Sequence, residues 1–184
     1  LLHEVTAVTE YKLGKIAGIS MSARPSAITG SILLLVVFVG VSIGVLLMTV
    51  IEAIFGSLCA VVLHWISAFV HQIGHAWAAR RTGYPMIGIR FGSLGLLSVS
   101  LYPPDESDLP ASIHIRRALG GPTGSLIASL VAALLTLLLG NSGGLPWWLA
   151  VFFFLDNFVV FTLGPFLPLG FTDGSTLLHW WGKR

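Results

Sequence analysis

Four apolar runs, each long enough to cross a lipid bilayer, constrain this chain more than any other feature. They cover residues 26–51, 57–79, 118–139 and 146–166. About 20 apolar residues in a helix span roughly 30 Å of hydrocarbon. Inside that layer each backbone N–H and C=O must find its partner within the protein, so such runs fold as helices. Composition supports the reading where it matters: 10% of the 184 residues are charged and 55% are hydrophobic, against about 25% charged in a soluble domain. A soluble globular fold is thereby excluded. The single cysteine, Cys59, rules out an intrachain disulfide.

The segments between the runs carry the rest of the expected fold. Pro25 opens the first run, and Glu52 lies at its end, near the far interface. Residues 15–22 partly alternate and predict one short strand; residues 87–101, broken by glycine and rich in alternating positions, predict two more. Gly83-Tyr84-Pro85 and Asn141-Ser-Gly-Gly144 read as turns. The first apolar run begins too deep for a cleavable signal peptide, and no internal repeat is visible. The expected architecture is a mostly α membrane protein in one domain, 1–184, with four transmembrane helices and a small membrane-associated β-sheet near the cytoplasmic face.

Charge gives the orientation. With four spans, the N-terminus, the connection between the second and third spans, and the C-terminus lie on one side. Lys12, Lys15 and Arg24 fall in the first of these; Arg80, Arg81, Arg90, Arg116 and Arg117 in the second; Lys183 and Arg184 in the third. That is all ten Lys and Arg residues of the chain. The positive-inside rule makes this side cytoplasmic, so the net charge of +2 reads as topology and not as a nucleic-acid footprint. Trp147 and Trp148 at the start of the fourth span, and Trp180 and Trp181 beyond its end, fit interfacial aromatic belts.

The chemistry concentrates in His71-Gln72-Ile73-Gly74-His75. Two imidazoles four residues apart share one helix face, with Cβ atoms about 5–6 Å apart, close enough to hold one metal ion. The common zinc-hydrolase pattern is His-Glu-x-x-His, whose Glu is a general base. Gln72 occupies that position; its amide can hydrogen-bond but cannot take a proton. His64 falls on the same arc, about 10 Å further along at 1.5 Å per residue, too far to share that ion. It reads as an interior histidine bonded to a neighbouring span, and Asp156 and Asn157 in the fourth span read the same way. A third ligand must come from the cytoplasmic depth of His71 and His75. Asp173, after the descending fourth span, meets that test, and Gly174 would let the backbone turn. Two His, one carboxylate and an open position make up a catalytic zinc site. Taken alone, Asp173 also reads as the N-cap of a last helix, 175–181.

The order of these elements resembles the site-2 protease family of intramembrane zinc metalloproteases. His71-Gln-Ile-Gly-His75 stands in the family's His-Glu-x-x-His place, and Leu167-Pro-Leu-Gly-Phe-Thr-Asp173-Gly174 in place of its Asp-Gly motif. Gly120-Gly-Pro122 is similar to its Gly-Pro element, and the glycine-rich strands to its membrane-associated sheet. The resemblance implies that His71, His75 and Asp173 bind Zn2+ and that position 72 carries the proton. It departs at Gln72, which leaves zinc binding intact and hydrolysis poor or absent, and at Pro165, where the family often has Asn. A shape-preserving swap at position 72 fits either an engineered inactivation or a natural pseudoenzyme.

The implied function is cleavage of transmembrane segments of membrane-anchored clients, here stalled at Gln72. A single-span client, unwound locally, would add as a strand to the sheet near 15–22 or 87–101. The alternatives are a pseudoprotease that holds a membrane client without cutting it, and a metal or proton transporter using His64, His71 and His75. The expected location is the cell membrane, multi-pass, with both termini and the site toward the cytoplasm.

Overall fold

The computed structural model describes residues 9–106, 108–140 and 144–183. Strands β1 (Tyr11–Ile16) and β2 (Ile19–Ala23) precede helices α1 (Ser26–Gly44) and α2 (Val50–Arg81). Strands β3 (Gly88–Ser93) and β4 (Leu97–Leu101) then lead to α3 (Ala111–Leu139) and α4 (Leu145–Leu155). The last helix is α5 (Asp173–Trp181). Four helical stretches are long and apolar enough to cross a membrane, namely Ser26–Gly44, Val50–Arg81, Ala111–Leu139 and Leu145–Phe166. The protein is a multi-pass, mostly helical membrane protein with one small sheet.

Its burial is inverted relative to a water-soluble bundle. Ile32, Leu33 and Val36 of α1 and Leu134, Leu137 and Leu138 of α3 stand exposed, where hydrocarbon is their solvent. The buried positions of α2 and α3 are mainly Ala, Gly, Ser and His. Lipid gives apolar side chains no reason to hide; small residues let backbones approach, and polar ones find partners between helices.

Several boundaries differ from the sequence expectation. The first apolar run is two elements. Thr49 caps α2, its hydroxyl accepting from the Glu52 amide at 3.4 Å while the Glu52 carboxylate accepts from the Thr49 amide at 3.2 Å. This capping box opens a new helix inside a run that hydropathy alone cannot divide, so α1 stops at Gly44 and residues 50–51 belong to α2. Residues 15–22 are not one strand but the inner part of the β1–β2 hairpin, turned at Ala17 and Gly18, with φ of 49° and 84°. Both central residues of a tight two-residue hairpin turn take positive φ. The helix that carries the third span begins at Ala111, ahead of Ala118, and its first turns hold Arg117, paired with Glu106 at 2.5 and 2.8 Å. Residues 141–143 of the expected second turn lie outside the described residues.

The fourth span changes pitch. After α4 the chain continues as a π-helix, Asp156–Leu163, and a 3₁₀ turn, Gly164–Phe166. Pro165 has no N–H and, in an α-helix, its ring would collide with the carbonyl four residues back. The wider register absorbs this, and the Thr162 hydroxyl donates to the Asn157 carbonyl at 2.8 Å. The sheet has the order β1-β2-β3-β4, with β2 and β3 parallel across α1 and α2 and the other pairs antiparallel. It is tied to the helices by the Ser26 hydroxyl donating to Gly92 O at 2.6 Å. One face of β4 thereby lies beside the middle of α2.

Candidate metal centre

The α2–α3 crossing builds the site. Gly74 and Gly120 meet there so closely that a Cβ on either would overlap the other's backbone. Gly121, next on α3, lies flat against the two rings; a Cβ on it would collide with Nε2 of both His71 and His75. Contact at that distance is open to glycine alone. Among the described residues, His71, His75 and Asp173 form the one group of three whose ligand atoms converge in a way that could hold a metal ion.

Each imidazole is oriented from behind. His75 Nδ1 faces the Arg117 carbonyl at 2.8 Å. The Gly121 amide also points at that nitrogen, at 3.3 Å, but a carbonyl can only accept, and the shorter contact sets the proton on Nδ1. His71 Nδ1 meets the Ser125 hydroxyl at 3.2 Å. Both Nε2 atoms therefore turn inward, 3.0 Å apart, each 3.4 Å from Asp173 Oδ2. Ligands about 2.0–2.1 Å from a tetrahedral zinc lie about 3.3 Å from one another, so the spacing fits that ion. Outer partners on the far ring nitrogens are the usual support of metal-binding histidines. With the rings protonated and no cation between them, burial pushes the Asp173 carboxyl up, while hydrogen bonds from the His71 and His75 imidazoliums outweigh it and hold the group below its ordinary range. The site presents an anion and two inward nitrogens, a composition that suits a divalent metal.

Asp173 is not the N-cap of the last helix. Thr172 holds that position and Asp173 begins α5. The Thr172 hydroxyl accepts from the Leu169 amide and donates to the Leu167 carbonyl, so the loop satisfies itself and leaves the carboxylate free to face α2. Gly174 is helical and makes no sharp turn; a Cβ there would strike the Phe166 backbone. Its smallness seats α5 against the end of the fourth span.

Gln72 points elsewhere. Its Nε2 donates to the Ser98 hydroxyl at 3.1 Å, and its Oε1 accepts from the Ser100 hydroxyl at 2.7 Å. The two serines are alternate residues of β4 and so share one face of the strand. Among the described residues β4 is an end strand of the sheet. His64 joins a separate buried pair: its Nδ1 lies 3.2 Å from Asp156 Oδ1 and its Nε2 lies 3.4 Å from the Leu96 carbonyl. Asn157 Nδ2 donates to the Ser67 hydroxyl at 2.9 Å. The interior polar groups of the second and fourth spans thus partner one another.

Sequence reasoning missed Ser98, Ser100, Ser125 and the Arg117 carbonyl, and gave Gly121 only as part of the Gly-Pro element. Only the serine alternation in Leu97–Leu101 carried a readable signal. Gly120 and Gly121 lie within α3, nine and ten residues after its start at Ala111.

No family model matches the sequence, and no curated protein matches it. Among solved structures the chain is similar to a site-2 protease from Methanocaldococcus jannaschii, at 23% identity and a TM-score of 0.62, over 92% of this chain and 70% of that one. The likeness extends through nearly the whole chain, helices and sheet together, and what it shows is that this protein has the fold of that protease.

Proposed function

We propose that this chain is an intramembrane metallopeptidase of the site-2 type whose hydrolytic step is stalled at Gln72. The observation that carries the reading is the convergence of His71, His75 and Asp173 at zinc-like spacing, with position 72 one residue from the first ligand. Zinc, when bound, supplies Lewis-acid polarisation of a scissile carbonyl and of the attacking water. The residues of the chain do the rest. His71, His75 and Asp173 hold the ion, and the α2–α3 crossing keeps water out of their rear. Position 72 is where the family's carboxylate would take a proton from water and return it to the leaving amine. An amide has no basic oxygen, so Gln72 cannot deprotonate a water.

The partner in this reading is a single-span client. A transmembrane helix hides its peptide bonds in its own hydrogen bonds, so a cleavable segment must unwind. Edge pairing on β4 would replace those bonds, beside the strand face that holds Gln72. The bilayer is the cell membrane, with the basic loops, the site and both termini toward the cytoplasm. Proline substitutions within Leu97–Leu101 that left client capture unchanged would remove the strand-addition element.

A second reading, a pseudoprotease that retains a client without cutting it, rests on the amide itself at position 72, buried and bonded on both polar atoms. One experiment separates the two. The purified chain and Gln72→Glu are reconstituted with a single-span client and zinc, with His71→Ala in the Q72E background as control. The peptidase reading expects cleavage by Q72E alone. Capture of the client without cleavage by Q72E selects the pseudoprotease.

A further inference from the structure

A cleft of about 280 Å³ lies on the outer side of the α2–α3 contact, at the basic end of the bundle. Trp77 and Arg81 from α2, and Arg116, Leu119 and Thr123 from α3, form its walls; Ala78 and Gly120 form its floor. Its lining includes two guanidinium groups and no carboxylate. Among the described residues neither Arg81 nor Arg116 has an ion-pair partner, unlike Arg90 with Glu10 and Arg117 with Glu106. The Arg81 guanidinium lies over the Trp77 ring at 4.3 Å, and Arg81 and Arg116 are both exposed. Two uncompensated cations at the rim of a largely apolar groove call for an anion carrying an apolar tail. Tryptophan at a helix end marks the headgroup level, and guanidinium binds phosphate through paired donors.

We propose that this cleft binds an anionic phospholipid, with its phosphate between Arg81 and Arg116 and an acyl chain along Trp77, Leu119 and Thr123. The floor gives the site a bearing on the metal centre. Ala78 and Gly120 belong to the crossing whose inner side carries Gly121 against His71 and His75. A lipid wedged there would brace the contact that sets the spacing of the rings.

The test is lipid competition on the full chain, purified with zinc and read by native mass spectrometry as adduct occupancy. Phosphatidylglycerol is set against phosphatidylcholine. A basic side chain near a membrane surface gives about fivefold preference for anionic lipid, so two predict roughly 25–30-fold. Arg81→Gln with Arg116→Gln should bring the two lipids close to parity. Arg81→Lys with Arg116→Lys should keep part of the preference, and this pair decides the matter if the Gln pair does not fold. Arg80→Gln, outside the cleft, should change nothing. Equal retention of the two lipids by the parent chain, loss of preference in R80Q, or its survival in the Gln pair would overturn the proposal. Displacement of the lipid by inorganic phosphate alone would also overturn it, because the site would then recognise free phosphate and not a lipid.

Discussion

Replacing Gly121 by Ala tests the metal centre at the point where helix packing and ligand geometry meet. The added Cβ would lie 2.6 Å from His71 Cε1 and closer still to the Nε2 atoms of both rings. Carbon atoms settle at about 3.5–4.0 Å, so the rings must retreat by roughly 1 Å. A metal site tolerates departures of about 0.2 Å. Losing an outer-shell partner alone costs 10–100-fold in metal affinity; moving both rings should cost at least about 100-fold, or about 2.7 kcal/mol. Overpacking should also lower stability by about 1–3 kcal/mol. The assay is zinc competition against a chromophoric chelator in detergent, with circular dichroism to establish that the helices persist. Gly40→Ala, where an added Cβ meets nothing within 4 Å, is the control and should leave affinity unchanged. A folded G121A protein that holds zinc as tightly as the parent would mean that Gly121 does not set the positions of the two rings.

Asp156→Leu removes the partner of His64 Nδ1 and should destabilise the bundle by about 1–2 kcal/mol, the range for polar contacts between membrane helices. Unfolding in mixed detergent measures it, and zinc affinity should hold. Glu106 sits below its ordinary value of 4.5, first because of its hydrogen bond from Arg117. The native state then binds fewer protons than the unfolded chain, so this stabilisation is complete above pH 4.5 and fades as pH falls through the lower native value. Melting curves of Glu106→Gln should lose that acid-dependent component; an unchanged pH profile would count against the clamp. Ser98→Ala with Ser100→Ala deletes both partners of Gln72 and should cost about 1–3 kcal/mol at the usual worth of two hydrogen bonds. Zinc titration of the same double variant should match the parent.

The helices were legible because bilayer thickness fixes their length and charge scarcity their solvent, both readable from residues alone. The division between α1 and α2 was not, because the Thr49–Glu52 box is a local hydrogen-bonding device inside an apolar run. The β1–β2 turn was obscured for a similar reason. Ala17-Gly18 takes positive φ without the Asn-Gly pair that announces such turns. The candidate metal site was partly legible: four-residue spacing puts His71 and His75 on one face, and depth singles out Asp173 as the group that meets them. That the three meet depends on a helix crossing between Gly74 and Gly120, more than forty positions apart in the chain, and no periodicity reports it. Ser125 and the Arg117 carbonyl were hidden for the same reason, since they act only once α3 lies across α2.

The geometry of α2 separates the candidate metal-holding residues from position 72. Residues 71 and 75 turn toward α3, where Ser125, the Arg117 carbonyl and Gly121 fix their rings. Residue 72 lies about 100° further round the helix and turns toward β4, where two hydroxyls fix its amide. The two supports share no side chain. Gln72 is buried, 2% exposed, and its Nε2 and Oε1 each have a bonding partner, so packing gives the fold no reason to reject an amide at this position. A hydroxyl can donate as readily as it accepts, so the same pair of serines could hold a carboxylate. Exchanging Gln for Glu at position 72 should therefore leave the spacing of His71, His75 and Asp173 to α3. A chain built this way can keep its fold and its metal holder whether or not it turns over a substrate.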